Sequence, residues 1–94
     1  MSIYRPEFDS AFFNRRSVGF LPGLLGIRIL EIGQGRVLAA LAIRQELFAT
    51  NGFLHAGTVV TLADTACGYG CMAHLPDRAK GFTTIELKTA QLVL

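Results

Sequence analysis

The fold is decided by Asn51-Gly-Phe-Leu-His55-Ala-Gly57-Thr-Val-Val-Thr-Leu-Ala-Asp64-Thr-Ala-Cys67-Gly-Tyr-Gly-Cys71-Met-Ala-His-Leu75. The stretch opens on a polar, turn-prone Asn51-Gly52 pair. After that pair it runs about six helical turns without a breaker, with its entry at His55-Ala56-Gly57, until Pro76-Asp77. Proline ends it, because the residue before a proline is steered away from helical backbone angles. Apolar or small residues occupy every side, so the pattern predicts a helix buried all round. Asp64 is its one charged side chain, and a carboxylate kept inside such a helix needs a reason.

Outward from this helix, the flanking segments supply a sheet. Glu7–Ser17 reads as a short amphipathic helix with Asp9 or Ser10 as its cap and Phe8, Phe12 and Phe13 on its apolar side. Such a helix would cover part of a sheet or close one end of a pocket. Val18–Gly26, with three glycines and Pro22, reads as loop and strand entry. Leu24–Ile32 reads as a strand, Gly33-Gln34-Gly35 as a tight turn able to supply positive φ at two positions, and Arg36–Arg44 as the returning strand. Arg36–Arg44 is apolar enough between its arginines to be covered on both faces. Gln45–Thr50 leads into the central helix. Pro76–Gly81 is a polar turn, and Phe82–Leu94 alternates like a third strand. A long apolar helix needs a sheet to wrap it, so the expected class is α+β, one domain over residues 1–94.

Composition narrows the function. The chain has 94 residues, 51% of them hydrophobic, and a net charge of +2. That charge is too small to argue for nucleic acid. No apolar run reaches the roughly 20 residues of a membrane span, and Met1–Glu7 lacks the layout of a signal peptide. No membrane partner is therefore expected. Cys67 and Cys71, four apart, are no Cys-x-x-Cys pair and read as small buried residues in a reducing compartment, with the cytoplasm as the default. Gly33-Gln34-Gly35 is not a phosphate loop, since no helix opens after it.

Three features converge on the central helix. His55-Ala56-Gly57 lies at its entry, where unpaired N–H groups and the positive dipole end can hold the oxygen of a polarised carbonyl. His55 can add a hydrogen bond or anchor the loop. Asp64 is a candidate base or nucleophile. Gly57 and Asp64 are seven residues apart, about 10 Å along the axis. One carbonyl does not easily meet both on one helix, which favours a site shared by two antiparallel copies. The plainer alternatives stand beside this: a structural histidine, and an aspartate that bonds a neighbouring hydroxyl such as Thr61 or Thr65. One histidine and one aspartate make no metal ligand set.

Gly52–Ala66 resembles the signature of hotdog-fold acyl-CoA thioesterases of the phenylacetate-degradation type, Gly-x-x-His-Gly-Gly followed six residues on by Asp in a Leu-Ala-Asp-Thr-Ala-like run. Thr83-Thr84-Ile85-Glu86-Leu87-Lys88 resembles the strand that follows the family's helix. The resemblance implies an antiparallel hotdog sheet wrapped around the long helix, and a homodimer or homotetramer. It implies hydrolysis of an acyl-CoA substrate to a carboxylic acid and free CoA, with no other cofactor. It makes Asp64 the general base or nucleophile, Gly57 the backbone donor to the thioester carbonyl, His55 the motif histidine, and Thr84 a hydroxyl that orients water. Asn51 lies near a catalytic amide of some members, whose own position is Ala49 here. Ala56 stands where the family has its first glycine. The family continues for two or three further strands where this chain ends in Ala90-Gln91-Leu92-Val93-Leu94, so a sheet truncated at the C-terminus is expected. The alternatives are a non-catalytic truncated module that dimerises or binds an acyl ligand and, third, a hotdog dehydratase, whose helix usually pairs Asp and His five apart.

Overall fold

Asp9 starts the first helix. Its side chain accepts from the Phe12 N–H at 2.9 Å, as a cap should. In the computed structural model, which describes residues 4–76, 79 and 81–84, this helix α1 spans Ser10–Ser17. It is three residues shorter at its start than Glu7–Ser17, because the Asp9 backbone is extended and cannot be helical itself. After it come helix α2 (Leu21–Leu25), strands β1 (Ile27–Gly33) and β2 (Arg36–Leu41), a 3-10 turn at Gln45–Leu47, and helix α3 (Ala56–Ala73). The described chain is α+β, as expected. The third strand expected over Phe82–Leu94 lies largely outside the described residues; Phe82–Thr84 form no regular element.

Two expectations for the N-terminal half are corrected. Val18–Gly26 is not all loop, since Leu21–Leu25 makes a helical turn with Pro22 in its first turn, and Gly26 ends it at φ 79°. Strand β1 then begins at Ile27, not Leu24, and β2 stops at Leu41, short of Arg44. The turn between them is Gln34-Gly35, with positive φ at Gly35 (70°) alone rather than at two glycines. Strand β2 is not covered on both faces, because the side away from α3 is open and Leu38 is exposed there.

Strand β1 changes its inward parity midway. Ile27 and Ile29 are buried, and the register then slips between Ile29 and Glu31, opposite Ala39 and Leu38. Leu30 is the extra residue of a bulge. Beyond it Ile32, not Glu31, turns towards the core. The outer edge of β1 is closed at Ile29 by the side chain of Asn14. Its Oδ1 accepts from the Ile29 N–H at 2.8 Å and its Nδ2 donates to the Ile29 carbonyl at 2.9 Å. An amide side chain thus stands where a neighbouring strand would pair.

The core is Phe13, Ile29 and Ala73, with Phe8, Phe12, Val37, Tyr69 and Met72 packed around it. Phe13 stacks on Tyr69 with ring centroids 4.4 Å apart, and the Tyr69 hydroxyl is 2.7 Å from Ser17 Oγ. Helix α3 is fixed at its far end by His74. Nε2 accepts from the Gly35 N–H at 2.8 Å, so the proton of the neutral ring sits on Nδ1, which donates to the Gly70 carbonyl at 2.7 Å. Gly70 lets the hairpin lie this close: a Cβ there would come within 3.0 Å of Val37 Cγ2.

Helix α3 ends at Ala73, two residues short of Leu75, and it is not buried all round. Val59, Ala63, Cys67 and Cys71, each one turn from the next, are exposed, while Thr58 and Ala73 are its buried residues. The two cysteines are free thiols on the surface, not core fillers. Small residues pack on either side of a helix equally well, so composition alone could not distinguish the covered face from the open one.

Replacing Asn14 with alanine strips both polar groups of Ile29 of a partner on that edge. Each such loss costs about 1–3 kcal/mol. The Asn14→Ala variant should therefore melt at least roughly 5 °C lower in a circular-dichroism scan. An unchanged melting temperature would mean that water replaces the amide without cost.

Candidate active site

The entry to α3 is built by a small loop. Phe48 bridges Leu54 in antiparallel fashion, the Ala49 N–H donates to the Phe53 carbonyl at 2.8 Å, and Asn51-Gly52 form the tip. Asn51 Oδ1 accepts from the Phe53 N–H at 3.1 Å, an Asx turn that commits the side-chain oxygen to the loop. Behind the loop, the carbonyl of buried Leu47 takes two donors at 3.0 Å each, the His55 N–H and the Thr58 hydroxyl. The first turn of α3 is thus pinned to the 3-10 turn before it.

That first turn disposes of its N–H groups in a definite way. The His55 carbonyl accepts from Thr58 N at 2.9 Å and Val59 N at 3.3 Å. The Gly57 N–H donates to Nδ1 of His55 at 2.8 Å, so histidine serves as the cap. The ring nitrogen that accepts carries no proton, and the neutral ring therefore holds its hydrogen on Nε2. Gly57 is required by this contact, since a Cβ there would lie 2.9 Å from Nδ1. Of the four N–H groups at the start of the helix, the one on Ala56 has no partner among the described residues. Sequence reasoning singled out Gly57 and passed over Ala56. Only the side-chain cap distinguishes the two, and histidine is not among the usual capping residues.

Asp64 lies two turns further on. Seven residues bring it back to the face that carries Gly57, about 10 Å along the axis. It is half-buried, and its Oδ1 accepts from the Thr84 hydroxyl at 3.0 Å. Segment 81–84 reaches it by crossing α3 at Gly68, where a Cβ would meet the Phe82 ring at 3.1 Å. Two site residues twenty positions apart are therefore joined. Thr61, a possible partner for Asp64, instead donates to the Gly57 carbonyl at 2.8 Å. Among the described residues no hydrogen bond links Asp64 to His55 or Gly57. The site residues form two groups about two turns apart along the helix: a donor group at 55–57 and a carboxylate group at 64 and 84. Asn51 belongs to neither and stands at the tip of the entry loop.

A separate cleft of about 340 Å³ lies between the β1–β2 turn and α3, lined by Gly35, Val37, Ala66, Gly70 and His74 among others. None of the candidate residues lines it.

Residues 51–90 match the family model of the thioesterase superfamily, a match that takes in His55, Gly57, Asp64 and Thr84 and covers less than half of the 94 residues. No curated protein and no solved structure matches the chain.

The cap can be tested without any ligand. His55→Ala should cost about 1 kcal/mol of stability and speed hydrogen exchange at the Gly57 amide. Gly57→Ala should be more favourable by about 1 kcal/mol in the His55→Ala background than in the parent, because the clash with the ring is gone and alanine is the better helix former. Equal effects in the two backgrounds would mean that the ring does not touch Gly57.

Proposed function

We propose that the chain is a thioesterase that hydrolyses an acyl-CoA to a carboxylic acid and free CoA. The observation that carries this reading is the 3.0 Å hydrogen bond from Thr84 to Asp64. It joins the two positions, far apart in sequence, at which a carboxylate and a hydroxyl are needed to hold a water. The match of residues 51–90 to the thioesterase superfamily supports the same chemistry.

In this mechanism Thr84 occupies one oxygen of the carboxylate and leaves Asp64 oriented to take a proton from water. The water oxygen attacks the thioester carbon, its proton passes to Asp64, and the carbonyl oxygen becomes an oxyanion. Collapse of that intermediate breaks the carbon–sulfur bond, and the CoA thiolate leaves with the proton returned by Asp64. The oxyanion is held at the start of α3, by the Ala56 N–H, which has no other partner among the described residues, and the Nε2–H of His55. No cofactor is needed beyond the CoA of the substrate. Because the donors and the carboxylate are about 10 Å apart on one helix, each site is completed by a second copy with its helix antiparallel, so the active species is at least a homodimer. The free thiols of Cys67 and Cys71 suit a reducing, cytoplasmic setting.

One observation favours the second reading, a non-catalytic module that binds an acyl ligand: the Gly57 N–H is already taken by His55. A panel of short-chain and aryl acyl-CoA substrates separates the two. Under the first reading, Asp64→Asn keeps the fold and loses about 100- to 10,000-fold in turnover, the usual worth of general-base help. Equal turnover by parent and variant would make Asp64 structural, and no turnover by either would favour the binding module. Light scattering at micromolar concentration should give a dimer or larger. A monomer that nevertheless turns over substrate would refute the shared site.

A further inference from the structure

Between the first helix and the first strand the chain displays large apolar side chains to solvent. Val18 is 74% exposed, Phe20 69%, Leu21 55% and Leu24 70%. Scattered exposed apolar residues are ordinary, but four within seven positions form a patch, and such patches mark contact surfaces. Their outward orientation is held by the backbone. The Phe20 N–H donates to the Ser17 carbonyl, the Gly26 N–H to the Gly23 carbonyl, and Arg44 Nη2 to the Leu24 carbonyl at 2.7 Å. Gly23 seats α2 against the end of α1, where a Cβ would overlap the Ser17 carbonyl oxygen. The segment is braced and does not fold its side chains back onto the core.

The charge carried by the patch segment itself is of one sign. Residues 10–30 contain Arg15, Arg16 and Arg28 and no carboxylate. Arg15 and Arg16 are exposed in the last turn of α1, immediately before Val18. Exposed Arg44 stands beside the far end of the patch at Leu24, paired with Glu46 at 3.7 Å. A two-fold contact that laid this patch on its own counterpart would bring the two Arg15-Arg16 pairs together, which like-charge repulsion opposes. An anionic surface has no such conflict.

From this we infer that Val18–Leu24, with Arg15 and Arg16, is a docking surface for anionic lipid bilayers, the apolar side chains entering the headgroup–acyl boundary and the arginines meeting the lipid phosphates. No described helix is long and apolar enough to cross a membrane. Surface attachment needs only a short apolar projection and a basic rim. It brings a soluble domain to the interface without a span.

The test uses the full chain with phosphatidylcholine vesicles, with and without phosphatidylglycerol. The protein should cosediment with the mixed vesicles and only weakly with the neutral ones. Replacing both Arg15 and Arg16 with glutamine should lower binding to the mixed vesicles by roughly 30-fold. The pair Phe20→Ser and Leu24→Ser should lower it at least about tenfold. The chain has no tryptophan, so Phe20→Trp supplies a single reporter should the serine variants fail to fold. Its emission should shift to the blue on adding mixed vesicles and be quenched by brominated lipid. No cosedimentation, equal binding to both vesicle types, or a blue shift without lipid that rises with protein concentration would overturn the inference, the last by pointing to a second copy on the patch.

Discussion

The first turn of α3 has more backbone donors than the helix can use, and how they are spent governs the candidate site. An α-helix leaves its first N–H groups without internal partners. Here the His55 carbonyl satisfies Thr58 and Val59, and the His55 ring satisfies Gly57. Ala56 is left with its N–H unpartnered among the described residues, beside an imidazole whose second nitrogen bears the hydrogen. The turn holds this arrangement because the Leu47 carbonyl fixes it from behind through both His55 and Thr58. One residue thus ends the incoming loop, caps the helix and sets the protonated face of its own ring.

The same helix carries three environments around its circumference. Tyr69, Met72 and Ala73 face the core beneath α1 and β1. Gly57, Asp64 and Gly68 share a second face, crossed by segment 81–84. Val59, Ala63, Cys67 and Cys71 form an exposed row. Glycine is what lets partners approach, with Gly70 under Val37 and Gly68 under the Phe82 ring. Where the chain approaches, small residues are buried. Where nothing in the described chain lies over them, equally small residues are open to solvent.

Edges receive a comparable treatment. The outer side of β1 is closed at Ile29 by an asparagine from α1, and the bulge at Leu30 turns the strand just beyond it. Within the described residues, extending the sheet on that side would require displacing Asn14. Among the described residues strand β2 carries no comparable side-chain cap, and Leu38 is exposed on it. The hairpin is held to α3 through His74, whose two nitrogens reach Gly35 and Gly70 and so join the β-turn to the last turn of the helix.

Much of this was legible in the sequence because it depends on local chemistry. Asp9 before an aromatic-rich run specifies a helix start, Gln34-Gly35 between apolar runs specifies a hairpin, and Pro76 ends a helix that runs up to it. The seven-residue spacing of Gly57 and Asp64 likewise sets those two on one helix face two turns apart. What depended on tertiary structure was which partner each group meets. Leu21–Leu25 lies close against the end of α1 because Gly23 has no side chain to meet Ser17, a contact that local propensity does not reveal. The loop before α3 stays out of the helix because Asn51 bonds Phe53 and the loop pairs with itself. The cysteines are exposed because no described segment covers their side. Thr84 meets Asp64, and His55 takes the Gly57 N–H, because hydrogen-bonding groups settle on whatever donor or acceptor the fold brings within 3 Å; a sequence lists those groups but does not contain the distances between them.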